Sequence, residues 1–254
     1  NKNDYIRRDA ISDFILEQAK KLYGKNVVKE DIFYYVYGFL HNKEYRETFA
    51  NDLKKMLPRL PLVEDVKDFW KFSKAGKTLA ELHLNYETVA PAEKVKVTYL
   101  NKDVYDAINF IGSGLKESDY LVDPKMKFPP KKDQKDTIIY NSKITISNIP
   151  AQAYEYIVNG KSAIEWIIER YQVTTHKESG IINNANDWAT EVGNPRYILD
   201  LLLSVINVSV QTVDIVKSLP KLEFGTPTTE NEVEKTYPDA DESEDLSIAA
   251  EPNN

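Results

Sequence analysis

The stretch that most constrains the fold of this chain is residues 137–173, which carry the signals of a β-hairpin followed directly by two helices. Two segments, 137–140 and 143–147, are rich in β-branched and aromatic residues, and Asn141 and Ser142 form a two-residue turn signal between them. Apolar and polar residues alternate in the second segment, as they do in a strand with one buried face. The stretch therefore predicts an antiparallel hairpin.

Two helices are expected after this hairpin. Pro150 stops the strand and is a favoured first residue of a helix, while Gly160 is a favoured residue just past a helix end. Ser162 can then cap the second helix, whose apolar residues recur at helical spacing up to Tyr171. Trp166 lies beside that apolar stripe, so we expect its indole to be buried against the sheet.

Helical periodicity dominates the first third of the chain. Apolar residues recur every three or four positions in the segments 9–23, 29–41, 43–56 and 62–84. This spacing predicts four helices joined by short links, which favours an antiparallel helical half. A long final helix is expected over 194–219, where an Asn-Pro pair supplies the start signal.

The segments between these helices indicate strands and loops. Residues 94–99 alternate as a strand, 104–111 fit either a helix or a strand, and 113–136 form a polar, Lys-rich and Pro-rich connection. We therefore predict an α+β fold that is mostly helical, with a small antiparallel sheet or hairpin flanked by helices and an acidic C-terminal tail. The predicted parts are a helical part over 1–84, an α+β part over 85–224, and a weakly packed acidic tail over 225–254.

The net charge of -7 misrepresents most of the chain. Residues 230–254 are strongly acidic and contain Lys235 as their one base. The rest of the chain is close to neutral, and a near-neutral body can bind nucleic acid where its basic residues cluster. The total charge therefore argues neither for nor against DNA binding.

Composition also indicates the compartment. The chain contains 0 Cys, which excludes disulfides and thiol chemistry and fits a reducing cytoplasm. No apolar run approaches the roughly 20 residues of a membrane span, so we expect no membrane partner. The first residues show no signal peptide and look like an internal start. We expect a cytoplasmic protein.

Two short motifs resemble nucleotide-binding signatures but lack defining residues. Residues 160–162 match the end of a phosphate-binding loop, yet the position of its first glycine holds Glu155. Residues 194–197 resemble the Asn-Pro-Pro-Tyr loop of amino-methyltransferases, yet Arg196 replaces the second proline. A helix boundary explains both motifs better than a cofactor site does.

No set of residues predicts catalysis. The 3 histidines, His41, His83 and His176, lie far apart in the sequence and lack the ligand spacing of a zinc site. Carboxylate pairs such as Asp187 and Glu191 are more typical of a solvated helix face than of an acid–base pair. We therefore expect no catalytic, metal-binding or cofactor-binding residue in this chain.

Five stretches together resemble a known family. They are TIIYNSKITISNIPAQAYEYIVNGKSAIEWIIERYQV at 137–173, DIFYYVYGFLHNKEYRETFANDLKKMLPRLP at 31–61, KTLAELHLNYE at 77–87, SGIINNANDW at 179–188, and NPRYILDLLLSVINVSVQTVDIVKSLPKL at 194–222. These stretches resemble the C-terminal specificity domain of type ISP restriction–modification enzymes. They are long family blocks that span most of the chain, and none is a catalytic signature.

This resemblance implies a DNA target-recognition module within a longer polypeptide. The family's polypeptides carry nuclease, helicase and adenine-N6 DNA methyltransferase parts upstream. S-adenosylmethionine, ATP and Mg are expected to bind those upstream parts. The implied partners are double-stranded DNA and the upstream methyltransferase and helicase domains, to which this module would present the target adenine.

Two groups of residues could contact DNA. The first is a lysine-rich arm with interleaved Phe and Pro, where ammonium groups could bind phosphates. The second is a pair of polar loops whose side-chain types pair with base edges in the major groove. The arm comprises Lys125, Lys127, Lys131, Lys132, Lys135 and Lys143. The loops supply Arg170, Thr174, Thr175, Lys177, Asn183, Asn184 and Asn186.

Each group also has a plain structural interpretation. The lysines could belong to a solubilising loop, and Asn and Gly are common in ordinary turns. A different function is also open: the helical part could dock on the methyltransferase and helicase parts as a coupling module, without base readout.

Overall fold

The computed structural model describes residues 9–110, 114–130 and 134–224 of the chain. The described residues have the predicted fold: it is mostly helical, with a small antiparallel sheet. The described residues up to Leu222 form one compact unit. The predicted acidic tail, 225–254, lies outside the described residues.

Helices, strands and short 3-10 turns make up the fold. The helices are α1 (Asp13–Tyr23), α2 (Lys29–Phe39), α3 (Lys43–Thr48), α4 (Val66–Leu84), α5 (Ala163–Arg170), α6 (Asn186–Glu191) and α7 (Tyr197–Ser218). The strands are β1 (Lys96–Tyr99), β2 (Asp103–Asp106), β3 (Ile138–Ile139), β4 (Ile144–Ser147), β5 (Ile157–Val158), β6 (Lys161–Ser162), β7 (Val173–Thr175) and β8 (Ile182–Asn184). The 3-10 turns lie at Tyr86–Thr88, Ala107–Asn109, Glu117–Asp119 and Ala151–Tyr154.

Helices α1 to α4 form the helical region, and their ends are set by capping residues. Ser12 caps α1, because its hydroxyl accepts a hydrogen bond from the Ile15 N–H at 3.3 Å. Asp65 caps α4 in the same way, so α4 begins later than predicted. The predicted helix over 43–56 is wrong beyond Thr48, where Asn51 and Asp52 lie in turns. Asn and Asp side chains can compete with helical hydrogen bonds, which favours turns.

The centre of the helical region is the crossing of α2 and α4. Gly38 and Gly76 lie at this crossing, and a Cβ added to Gly76 would collide with the carbonyl oxygen of Tyr34. Because both residues lack a Cβ, the two backbones can touch. Around the crossing, Tyr35 and Phe69 are fully buried and their rings stack with centroids 5.1 Å apart.

The predicted hairpin at 138–147 is confirmed and forms one side of the main sheet. The four strands are ordered β2-β1-β4-β3, and all neighbouring pairs are antiparallel. Ile138 pairs with Ile146, and Ile144 and Ile146 are both 0% exposed. The alternation in the sequence therefore corresponds to one buried face, which packs in a core shared with α7.

The predicted helix between Pro150 and Gly160 is wrong. A short 3-10 turn, Ala151–Tyr154, is followed by the hairpin β5–β6, with Asn159 and Gly160 at its tip. Both tip residues have positive φ, 49° and 87°, as a type I′ turn requires. The Asn-Gly pair is the strongest short hairpin signal, and in this segment it overrides the helical spacing of neighbouring apolar residues.

Helix α5 starts as predicted, but Trp166 is not placed as predicted. Ser162 and Glu165 form a reciprocal capping box at the start of α5. The indole of Trp166 is only half-buried, and its N–H donates to the Val158 carbonyl oxygen at 2.6 Å. Trp166 therefore packs on the β5–β6 hairpin rather than under the main sheet, because its polar N–H needs an acceptor.

Helix α7 is the central core helix. It packs against α4, α5 and the 3-10 turns Tyr86–Thr88 and Ala151–Tyr154. Within the described residues, α7 alone has the length and hydropathy of a membrane span, and 67% of that window is buried inside the protein. Such burial is typical of a core helix, and buried residues lie on most sides of α7.

Candidate nucleic-acid interface

The two polar loops predicted from the sequence are strands, and they pair with each other. Strands β7 and β8 form an antiparallel two-stranded ribbon in which Thr174 lies opposite Asn183 and Thr175 lies opposite Ile182. The β-branched run from Val173 to Thr175 explains this outcome, because such residues favour extended backbone. We call this element the ribbon, residues 173–184.

The ribbon is anchored at its base by Asn186. This side chain is 6% exposed, and its amide makes two hydrogen bonds with the backbone of Val122. Its oxygen accepts from the Val122 N–H at 2.9 Å, and its nitrogen donates to the Val122 carbonyl at 2.9 Å. Asn186 was a candidate base contact, but its polar atoms are occupied in holding the ribbon.

Asn184 has a similar structural role. Its amide nitrogen donates to Asp187 at 2.8 Å, and its oxygen accepts from the Asn186 N–H at 3.1 Å. These bonds start helix α6 directly after β8. Asn184 and Asn186 therefore orient the ribbon, and Asn183, which precedes them, is exposed.

The lysine-rich arm lies against the same ribbon. The Val173 N–H donates to the Pro124 carbonyl at 2.7 Å, and Lys125 forms an antiparallel bridge with Gln172. Lys127 forms a second bridge, to Ile139 of the main sheet. The segment from Pro124 to Lys127 thus joins the ribbon to the main sheet. Lys125 and Lys127 therefore lie close to the base of the ribbon.

Four predicted residues are exposed on the ribbon. Thr174, Thr175, Lys177 and Asn183 lie around a shallow concavity at its outer end. The turn that closes this end is held by His176, whose carbonyl oxygen accepts from the Gly180 N–H at 2.9 Å. No carboxylate in the described ranges forms an ion pair with Lys125, Lys127 or Lys177. The charges of these ammonium groups are therefore not compensated by an ion pair among the described residues.

Two other lysines of the predicted arm are already paired with carboxylates. Lys143 binds the buried Asp119, and its hydrogen bond is the main reason that the pKa of Asp119 falls to about 2. Lys135 binds Glu165 at 2.8 Å and likewise lowers the pKa of that carboxyl to about 2. Their charge is therefore largely compensated. Lys131 and Lys132 lie outside the described residues.

Arg170 is held beside an aromatic ring. Its guanidinium lies 5.2 Å from the Trp166 ring centre, and the Lys161 ammonium lies 5.0 Å from the same ring. Such cation–π contacts favour a fixed position for the guanidinium. Arg170 is exposed at the end of α5, just before the ribbon begins.

The described residues do not fit a nucleotide or metal site. The hydroxyl of Ser162, at the end of the phosphate-loop-like motif, forms the α5 cap, and Gly160 lies in a hairpin turn instead of a strand-to-helix loop. Among the residues with described positions, no three His, Asp or Glu side chains converge as metal ligands.

Ile181 and His176 also belong to this surface, although the sequence patterns did not single them out. The hydrogen bond from the His176 N–H to the Ile181 carbonyl, 2.8 Å, continues the pairing of the ribbon beyond Thr175 and Ile182. The signal was the Gly180 turn between two β-branched runs, which predicts a hairpin once both runs are recognised as strands.

Known proteins of one family resemble this chain in sequence and in structure. A family model described as the Type ISP C-terminal specificity domain matches residues 1–201. A solved nuclease-deletion mutant of the Type ISP restriction-modification enzyme LlaGI, in complex with a DNA substrate mimic, is 47% identical with a TM-score of 0.64. That match covers 79% of this chain and 17% of LlaGI.

Two further solved structures are similar. The ATP-dependent Type ISP restriction-modification enzyme LlaBIII bound to DNA is 41% identical with a TM-score of 0.68, over 88% of this chain and 13% of that one. A DrdV–DNA complex is 31% identical with a TM-score of 0.63, over 83% of this chain and 20% of that one. This chain therefore spans a fifth or less of the relatives it matches. Among curated proteins, no match was found.

Proposed function

Because this chain belongs to the family of Type ISP C-terminal specificity domains, we propose that it binds duplex DNA and reads a target sequence within a longer restriction–modification polypeptide. The observation that carries the proposal is the anchored ribbon, with Thr174, Lys177 and Asn183 exposed beside Lys125 and Lys127. The major groove of DNA admits a two-stranded ribbon of this kind. The DNA-bound state of the similar enzymes supports the same function.

The proposed division of labour follows from the chemistry of the side chains. Lys125 and Lys127 would hold phosphates and set the register, while Asn183 would pair with an adenine edge. The module would then present the target adenine to an upstream methyltransferase domain of the same polypeptide. S-adenosylmethionine, ATP and Mg would be bound by upstream domains, and the protein would act in the cytoplasm.

A salt titration tests this proposal. A duplex enriched from a random pool by the full polypeptide, and an unrelated duplex, are each titrated with this chain at several salt concentrations. Replacing Lys125 and Lys127 by Ala should weaken both duplexes and flatten the slope of log affinity against log salt by about 0.9 per lost contact. Asn183→Ala should instead weaken only the enriched duplex, by ~1–3 kcal/mol.

Lys74→Ala is the matched control, because Lys74 is an exposed lysine on α4, in the helical region. It should leave the salt slope and the affinity unchanged. Equal binding of the two duplexes by the unmodified chain would argue against base readout. An unchanged slope after loss of both arm lysines would show that phosphates bind elsewhere.

A second candidate function is docking on upstream domains, and exposed aromatic side chains favour it. Phe14 on α1 is 65% exposed and Phe33 on α2 is 51% exposed. Exposed apolar side chains of this size are typical of an interaction surface when they cluster. Phe14→Ser with Phe33→Ser should then reduce nuclease or ATPase activity of the full polypeptide while leaving the DNA affinity of this chain unchanged.

A further inference from the structure

The two faces of the ribbon differ in how much of each is exposed to solvent. In an antiparallel pair, residues directly opposite each other point to the same face, and successive residues alternate. Thr174 and Asn183 therefore share one face, and the pairing of His176 with Ile181 continues it. We call this the outer face: Thr174, His176, Ile181 and Asn183.

The opposite face is partly covered at its base. Val173 and Asn184 lie on it and are only half-exposed, since Asn184 is bonded to the start of α6. On the outer face, by contrast, Thr174 and Asn183 are both exposed down to the base of the ribbon. The outer face is therefore the one that can approach a flat or grooved ligand along its whole length.

Ile181 is the unusual residue of the outer face. It is a large apolar side chain that is 67% exposed at the far end of the ribbon. Its neighbours Thr174, His176 and Asn183 are polar, so no apolar cluster of the ribbon accounts for it. An exposed isoleucine in a polar surface that approaches DNA has one complementary group in the major groove, the C5 methyl of thymine.

The spacing along the strand matches the spacing along DNA. Ile181 and Asn183 are two residues apart on one face, a separation of about 6.6–6.8 Å. Base pairs rise by about 3.4 Å each, so two steps of the duplex cover about the same distance. A strand whose direction in the groove is close to the duplex axis would thus bring Asn183 and Ile181 to positions two base pairs apart.

We propose that Ile181 is a specificity-determining residue that packs against the methyl group of a thymine, two base pairs from the base that Asn183 reads. This inference rests on the proposed function and adds a chemical class to one position of the target: a pyrimidine with a C5 methyl. The His176 ring, whose Nδ1 lies 2.9 Å from the Ser179 hydroxyl, is held in the turn, and His176 lies opposite Ile181 on the facing strand.

Thymine-to-uracil substitution tests the proposal directly, because it removes only the methyl group. The duplex enriched from a random pool is resynthesised with uracil at one thymine position at a time, and the affinity of the full chain is measured for each. One position should weaken binding by about fourfold, which corresponds to the burial of one methyl group. In Ile181→Ala, that position should become indifferent to uracil.

Ile182→Ala is the matched control. Ile182 has the neighbouring position and nearly the same exposure, 64%, but lies on the opposite face. It should keep the uracil effect, and so should the conservative Ile181→Val. The thermal midpoints of all three variants should equal that of the unmodified chain, because neither side chain is buried.

The outcomes separate this inference from the function on which it rests. If Ile181→Ala keeps the full uracil effect, or Ile182→Ala abolishes it, Ile181 does not read a thymine, although the chain still reads DNA. If uracil at every thymine position leaves the affinity unchanged, Ile181 likewise does not read a thymine. If the random pool yields no enriched sequence at all, base readout itself fails and the inference fails with it.

Discussion

In the helical region, α2 and α4 touch through their backbones at Gly38 and Gly76, whereas the ribbon is joined to the rest of the fold by side-chain amides and a few backbone bonds at its base. The first region buries its aromatic rings inside the crossing. The second leaves Thr174, Lys177 and Asn183 in solvent. The helical region is therefore held by close packing, whereas the ribbon exposes the side chains for which we propose DNA contact.

This difference indicates which substitutions each region tolerates. At the α2–α4 crossing, atoms are in contact on all sides, so added volume must displace backbone. On the ribbon, the anchoring amides are few, and removing one should loosen the whole element without disturbing the core. The exposed side chains of the ribbon can change with little effect on stability. A binding surface at this position could therefore vary in sequence.

The largest effect is expected for Gly76→Ala. The added Cβ would collide with the carbonyl oxygen of Tyr34, a backbone atom that cannot rotate away. We expect a loss at or beyond the upper end of the ~1–3 kcal/mol typical of overpacking, measured as the free energy of unfolding in urea. Lys74→Ala, at an exposed position of the same helix, should change it by less than ~0.5 kcal/mol. An unchanged urea midpoint for Gly76→Ala would show that α4 can move away from α2.

A smaller effect is expected for Asn186→Ala. The change leaves both the N–H and the carbonyl of Val122 without their partners, which costs about 1–3 kcal/mol. Hydrogen exchange of the His176 and Val173 amides should accelerate, because the ribbon loses its anchor. Asn183→Ala is the control, since Asn183 is the same residue type on the ribbon itself but is exposed. Equal protection of the ribbon in both variants would refute the anchoring role.

The sequence predicts local elements of this fold better than it predicts contacts between distant residues. Strand β4 was predictable, because alternation at Ile144 and Ile146 depends only on local neighbours. The Asn159–Gly160 pair also carries a local turn signal, although the helical spacing of the neighbouring apolar residues predicts a helix. The contact of Gly38 with Gly76 could not be predicted, since it depends on which helices meet in three dimensions. The same holds for Asn186, whose partner Val122 is distant in sequence.

The least local part of the helical region is the polar cluster that joins α2 and α4 to α7. His83 Nδ1 lies 2.8 Å from the Tyr37 hydroxyl, and Nε2 lies 2.9 Å from the Thr212 hydroxyl. A neutral imidazole accepts at one nitrogen and donates at the other, which suits two hydroxyl partners. His41, which donates from Nδ1 to the Tyr37 carbonyl, lies beside it with ring centres 5.7 Å apart.

The smallest effect is therefore a pH dependence that comes from this cluster. Burial, together with the nearby His41, lowers the pKa of His83 from 6.5 to about 4. The unfolded chain then binds a proton at His83 that the folded chain does not, so the contribution of His83 to stability should fall as pH decreases from 6.5 to about 4 and then level off. The slope should be below ~1.4 kcal/mol per pH unit, the limit for one proton, because the ring is partly solvated. Urea unfolding of His83→Gln should show a flatter profile across this window than the unmodified chain does. Identical profiles for His83→Gln and the unmodified chain would mean that other groups carry the acid sensitivity.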